Sequence, residues 1–208
     1  MKQYFDKAFS KIAVLGSGTM GGQIAAHFAN LGFEVVMFDV SEELLAKSLA
    51  VLKKLKPTPL ASESVIDLIK TSTYESMDNL EQCDFIIESV VENLEIKKQL
   101  FANIAPYVHD NAVLVTNTSG LSIQKIAEHS PEHLRSRIFG VHFFNPPRYL
   151  PLVEIIRTSY SDDKLLNKAE GFITSALGKE VVYAKDNPAI IANRIGVFSF
   201  LADLKHLL

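Results

Sequence analysis

The turn GSGTMG, residues 16–21, sets three glycines at the spacing G-x-G-x-x-G, after an apolar run that reads as a strand and at the opening of a helical one. Glycine meets a different need at each place. Gly16 allows a tight turn, Gly18 lets a pyrophosphate approach the backbone, and Gly21 lets helix pack closely on strand. The helix that starts here offers unpaired N–H groups and the positive end of its dipole to phosphates. Asp39 ends the next strand-like run, where a carboxylate can accept hydrogen bonds from adenosine ribose hydroxyls. The same charge repels a 2′-phosphate, and the following VSEE supplies no arginine to hold one, so the cofactor expected is NAD rather than NADP.

A second candidate lies in VHFFNPPRYLPLVE, residues 141–154. Oxidising an alcohol with NAD needs a group that takes the hydroxyl proton, usually histidine, lysine or tyrosine. Among six histidines, His142 alone falls on an expected central strand. His27 lies in the first helix, and His109 and His206 lie in polar or terminal positions. His129 and His133 have a spacing that suits a metal on a helix, but Pro131 between them breaks that helix and no third ligand is evident, so no metal is expected. Glu154 beside His142 would fix the imidazole tautomer and stabilise the imidazolium formed on proton uptake. NPPRYLP is stiff enough to fold the second strand back beside the first. On these residues alone, a catalytic pair and a core histidine with an edge glutamate stand level.

The elements that must position these groups follow from hydrophobic period. Strand-like runs alternate with longer helical ones from Lys11, which predicts a parallel sheet with crossover helices. KIAVLG, a helix over TMGGQIAAHFANLG stopped at Gly32, and EVVMFDV make a βαβ unit. A helix over SEELLAKSLAVLKKLK follows, with Ser41 as its cap and acids and lysines at the ends that suit its dipole. A small strand is expected at 71–74, then strands within 84–91, 112–117 and 137–144, with a helix at 94–107 between the first two. The last third continues as strand (PLVEIIRTS), helix (162–178) and strand (KEVVYAKD). After Pro188 an apolar helical stretch runs to residue 208. The expected fold is α/β, Rossmann-type, a mainly parallel sheet flanked by helices. Residues 1–187 form a dinucleotide-binding domain, and 188–208 the first helix of a truncated C-terminal helical domain.

Composition narrows the partners. The 208 residues carry 24 acidic and 21 basic side chains, a net charge of −3, with no basic block. Nucleic-acid and membrane-surface roles have no electrostatic support, and a small-molecule partner is expected. The single cysteine, Cys83, excludes a disulfide framework and points to a reducing, cytoplasmic setting. The N-terminus MKQYFDKAFSK is too polar for a signal-peptide core.

GSGTMG, ESVVENLEIK, NTSGLSI, GVHFFNPPRYLPLVE and KDNPAIIANR together resemble, in order and spacing, the 3-hydroxyacyl-CoA dehydrogenases of fatty-acid β-oxidation, above all the multifunctional bacterial type. The resemblance implies oxidation of an (S)-3-hydroxyacyl-CoA to the 3-ketoacyl-CoA, with hydride passed to NAD. It implies His142 as the base, Glu154 as its acidic partner, Ser119 as a donor to the substrate oxygen and Asn193 as an aid in placing the reacting group. For the cofactor it implies Gly16, Ser17, Gly18, Thr19, Met20, Gly21 and Asp39, with Glu92, Lys97, Ser119 and Asn145 toward the nicotinamide end. It also implies a homodimer formed through the C-terminal helical domain. NAD binding with weak or no turnover is expected of this chain alone, and an apolar surface around Phe198, Leu201 and Leu204. Read without the resemblance, Ser119 is a helix cap, Glu92 and Lys97 are solvated charges, and Asn193 is an ordinary polar residue. A dehydrogenase of a non-CoA hydroxy acid and a silent NAD-binding relative are the alternatives. NTSG carries Gly120 where many members have a second serine, NPAIIANR stands for a more usual PGFIxNR, and no residue is assigned to CoA.

Overall fold

The computed structural model describes residues 8–207, with side chains described through Leu201. Strand β1 (Lys11–Leu15), helix α1 (Thr19–Asn30) and β2 (Glu34–Asp39) form the expected βαβ unit. Gly32 stops α1 in the left-handed conformation at φ 82°, its N–H bonded to Ala29 O at 2.9 Å. Helix α2 (Glu42–Lys54) is capped by Ser41, whose hydroxyl accepts from Leu44 N at 3.3 Å, and its terminal acids and lysines match its dipole. Strand β3 (Ile69–Thr73) begins two residues earlier than expected.

The chain continues through β4 (Phe85–Glu88), α3 (Leu94–Ile104), β5 (Val113–Thr116), α4 (Ile123–Glu128), β6 (Ile138–Phe143), β7 (Leu152–Ile156), α5 (Asp163–Ser175), β8 (Glu180–Ala184) and α6 (Ala192–Leu207). Asn93 and Asp162 cap α3 and α5 with their side-chain oxygens. Helix α4 ends before Pro131, as the proline requires.

The eight strands form one sheet in the order β3-β2-β1-β4-β5-β6-β7-β8. Each neighbouring pair is parallel except β6 and β7, which run antiparallel. The order reverses direction between β1 and β4, and crevices outside the carboxyl ends of strands at such a switch point are where open α/β sheets bind ligands. Apolar side chains fill both faces. Phe28, Leu45 and Phe172 pack one layer, while Leu100, Phe101, Ile104 and Ile126 pack the other. No helix among the described residues is long and apolar enough to cross a membrane.

The loop between β6 and β7 is fastened from outside. Arg148 donates to the carbonyls of Thr58 and Leu60 at 2.9 and 2.6 Å, and Tyr149 OH donates to Thr58 O at 2.8 Å. Buried Lys179 donates to Pro147 O and Leu150 O at 2.5 and 2.7 Å. Stiffness from the prolines is thus joined by anchoring to two other segments. His27, buried on α1, finds no partner for Nε2 among the described residues; burial, then the charges of Lys179 and Arg148, lower its pKa to about 4, which keeps it neutral.

Before α6, Ala189 and Ile190 have φ of 61° and 51°, a left-handed region that costs an L-residue about 1–2 kcal/mol. The PGFIxNR pattern from which NPAIIANR departs carries glycine at the position of Ala189. Replacing Ala189 with glycine removes the Cβ strain against a glycine entropy cost of about 0.5–1 kcal/mol. Thermal melting of Ala189→Gly should therefore show Tm raised by roughly 2 °C. An unchanged or lower Tm would contradict strain at this residue. Among the side chains of α6 that are described, Ile195, Val197, Phe198, Phe200 and Leu201 are exposed, with Phe198 at 75%. Leu204 lies outside the described side chains.

Candidate active site

The glycine turn stands at the carboxyl end of β1 and divides its glycines by function. A Cβ on Gly16, at φ 101°, would lie 2.6 Å from Ser89 O, and one on Gly21 would lie 1.9 Å from Gly16 O. Both positions are closed to any side chain by packing. A Cβ on Gly18 would meet nothing within 4 Å. Its small size leaves open space above the start of α1, where phosphates can reach the N–H groups. Asp39 is tied to this turn: its Oδ2 accepts from Ser17 N at 2.7 Å and Ser17 Oγ at 2.5 Å. The carboxylate thereby holds loop and second strand together as well as facing the cleft.

That cleft, about 810 Å³, is lined by Gly18, Thr19, Asp39, Val40, Tyr74 and Val90 among others. Its apolar walls, one acid at the ribose end and the open approach over Gly18 fit a dinucleotide. Met20 packs its side chain against the core and does not line the cleft. Substituting Gly18 with alanine, whose φ of −62° permits it, should leave Tm within about 2 °C. The added methyl would stand in the open space offered to the phosphates, and NAD affinity by calorimetry should fall at least about tenfold. Unchanged affinity would remove the phosphate role from this turn.

The antiparallel register of β6 and β7 sets His142 directly opposite Glu154. His142 Nδ1 lies 2.8 Å from Glu154 Oε2, and the two residues are 6% and 1% exposed. Glu154 Oε1 accepts from the N–H groups of Ile191 and Ala192 at 3.1 and 3.0 Å. One carboxylate thus holds the imidazole with one oxygen and the start of α6 with the other. With the Glu154 carboxylate as acceptor, Nδ1 is the donor of this bond and Nε2 is the ring nitrogen left outside it. Asn193 is the next residue of α6, half-buried. Asn117, just past β5, accepts from Phe143 N at 2.8 Å and fixes the end of β6.

Ser119 follows β5 on a loop caged by Glu92. Oε1 of Glu92 accepts from Thr118 Oγ1 and from the N–H groups of Ser119, Gly120 and Leu121 at 3.0, 2.7 and 3.2 Å. Ser122, not Ser119, caps α4. Burial alone would raise the Glu92 pKa, but bonds from Thr118 and Gly120, the charge of Lys97 and the bond from Leu121 outweigh it and hold the carboxyl below its usual range. Lys97 is not a surface lysine. It is 1% exposed, 2.6 Å from the fully buried Glu88 and 3.5 Å from Glu92. Glu88 also accepts from Thr116 Oγ1 at 2.5 Å and Val90 N at 2.7 Å. Asn145 Oδ1 accepts from Gln23 Nε2 at 3.0 Å, which links the loop after β6 to α1.

The sequence model of the family described as "3-hydroxyacyl-CoA dehydrogenase, NAD binding domain" matches residues 11–187. The chain belongs to this family.

Its cofactor is NAD, in keeping with the cleft. A Bacillus subtilis protein named "Probable 3-hydroxyacyl-CoA dehydrogenase" is 39% identical over 224 residues, covering 97% of this chain and 28% of its own length. A Rickettsia felis protein bearing the name of a fatty acid oxidation complex trifunctional enzyme is 38% identical over 196 residues, covering 90% of this chain and 27% of its own. This member of the dehydrogenase family thus spans little more than a quarter of those two relatives. The crystal structure of Mycobacterium tuberculosis FadB2 superposes with a TM-score of 0.84 at 30% identity, covering 95% of this chain and 71% of that one.

Within this dehydrogenase-family domain, sequence reasoning missed Glu88, Gln23 and Asn117. Glu88 had a signal: a charge inside the apolar run DFIIESVV is costly unless paired. Gln23 and Asn117 gave none, since their partners lie 122 and 26 residues away.

Proposed function

We propose that this chain is the NAD-binding and proton-handling part of an enzyme that oxidises (S)-3-hydroxyacyl-CoA to 3-ketoacyl-CoA in β-oxidation. The observation that carries the reading is the buried His142–Glu154 pair at 2.8 Å, on the sheet whose switch point forms the dinucleotide cleft. NAD supplies the hydride acceptor. Nε2 of His142 takes the 3-hydroxyl proton, and Glu154 stabilises the imidazolium through Nδ1–H. The hydroxyl of Ser119 and the amide of Asn193 donate to the substrate oxygen, where donors held in a site closed to water count most. Glu92, Lys97 and Asn145 belong to the nicotinamide side. Residues 1–187 are the NAD-binding domain in this reading, and 188–208 start a helical region. The exposed apolar residues of α6 support assembly into a homodimer there. A cytoplasmic setting is supported by cysteine usage: Cys83, the single cysteine of the sequence, is a free buried thiol.

The test is NADH oxidation by the complete polypeptide with acetoacetyl-CoA and longer 3-ketoacyl-CoA thioesters, beside NAD reduction with simple 3-hydroxy acids. Turnover confined to the thioesters is expected. Turnover confined to the free acids would replace this reading with a non-CoA dehydrogenase.

A further inference from the structure

The loop that carries Ser119 is held from two sides. Glu92, on the segment after β4, takes the N–H groups of Ser119, Gly120 and Leu121. From the other side Asp186, two residues past β8, takes the N–H of Ile123 on Oδ1 at 3.0 Å, and the hydroxyl of Ser122 and the N–H of Gln124 on Oδ2 at 2.7 and 2.8 Å. Five of the six backbone N–H groups from residue 119 to 124 therefore end on two carboxylates. The hydroxyl of Ser119 takes no part in either set. Helix α4 has six residues, too few to hold its own first turn, so its place depends on such outside partners.

Asp186 also begins the segment that leads to the dyad. Ile190 packs against Ile123 and Ile156, and the next two N–H groups go to Glu154. The left-handed residues Ala189 and Ile190 lie between these two carboxylate anchors. Strained backbone of this kind persists where the surroundings over-determine it. The segment from Asp186 to Ala192 thus fastens the Ser119 loop at one end and the partner of His142 at the other.

We propose that Asp186 is a positioning residue for Ser119, fixing residues 122–124 at the far end of the loop that Glu92 holds at 118–121, so that the Ser119 hydroxyl is presented to the reacting oxygen. The proposal rests on the role given to Ser119 above. Asp186 touches no reacting atom, and its effect passes through Ser119. Removing its carboxylate should lower kcat and spare cofactor binding.

In the complete polypeptide, Asp186→Ala should lower kcat for 3-ketoacyl-CoA reduction at least about tenfold and change the KM for NADH less than about twofold. In a Ser119→Ala background the same substitution should cost less than about twofold more, because residues acting as one unit are non-additive. Asp186→Asn keeps one acceptor oxygen and should fall between, and it serves if the alanine variant does not fold. Hydrogen exchange of the amides of Ile123 and Gln124, measured without substrate, should quicken at least about tenfold in Asp186→Ala. A kcat within twofold of wild type, a loss that multiplies fully with Ser119→Ala, or unchanged exchange would overturn the proposal. A wild-type protein that reduces no 3-ketoacyl-CoA would instead defeat the functional reading, and the exchange measurement would still decide the clamp.

Discussion

Replacing His142 with glutamine should lower kcat for 3-ketoacyl-CoA reduction by about 10²–10⁴-fold, the usual contribution of general acid–base catalysis. Glutamine fills much of the space and can donate its amide to Glu154, so β6 and β7 should stay paired. It has no group that exchanges a proton at the position of Nε2. NADH affinity, read by fluorescence titration, should stay within about twofold, because the glycine turn follows β1 and Asp39 ends β2, with β4 and β5 between them and the dyad. Glu154→Gln should also be slow, for a different reason. Its second oxygen carries the start of α6, so that variant disturbs Asn193 as well as the imidazole. Turnover of His142→Gln within tenfold of wild type would remove the dyad from the chemistry.

Lys97→Met should be the most destabilising single change among those considered. It leaves Glu88, at 0% exposure, as a charge with no cation beside it, and frees one side of Glu92. Breaking a buried pair from one side costs about 3–5 kcal/mol, because the surviving charge is left uncompensated in low dielectric. For a chain of this size that lowers Tm by roughly 10 °C. Adding Glu88→Gln removes the stranded charge and should recover at least half of the loss, which thermal melts of the single and double variants can show. A single variant that melts within 2 °C of wild type would mean that the pair is not needed.

The parts of this fold written in local pattern were readable. KIAVL, EVVMFD and RIFGVHF announce buried strands by composition, and GSGTMG with Asp39 announces the cleft by spacing. The fold-back of β7 onto β6 followed from the stiff NPPRYLP loop, and the register then opposed His142 to Glu154. What local pattern could not show was who answers whom. Lys97 reads as a surface lysine on an amphipathic helix until Glu88 is found beneath it. Ser119 reads as a cap until Ser122 and Asp186 are seen to cap α4. Arg148 and Lys179 fasten the proline loop through carbonyl groups, which every residue carries, so no residue type marks their partners. The roles proposed for Ser119 and Asn193 rest on family resemblance, because neither forms a pattern of its own.

The sole antiparallel pair of the sheet has a consequence for timing. His142 and Glu154 face each other across paired strands, so the register sets their contact and leaves them little conformation to search. Motion slow enough to limit a catalytic cycle has to be sought where the backbone departs from regular structure. Beside this site that is the short stretch from Asp186 to Ala192, where two left-handed residues separate the sheet from α6.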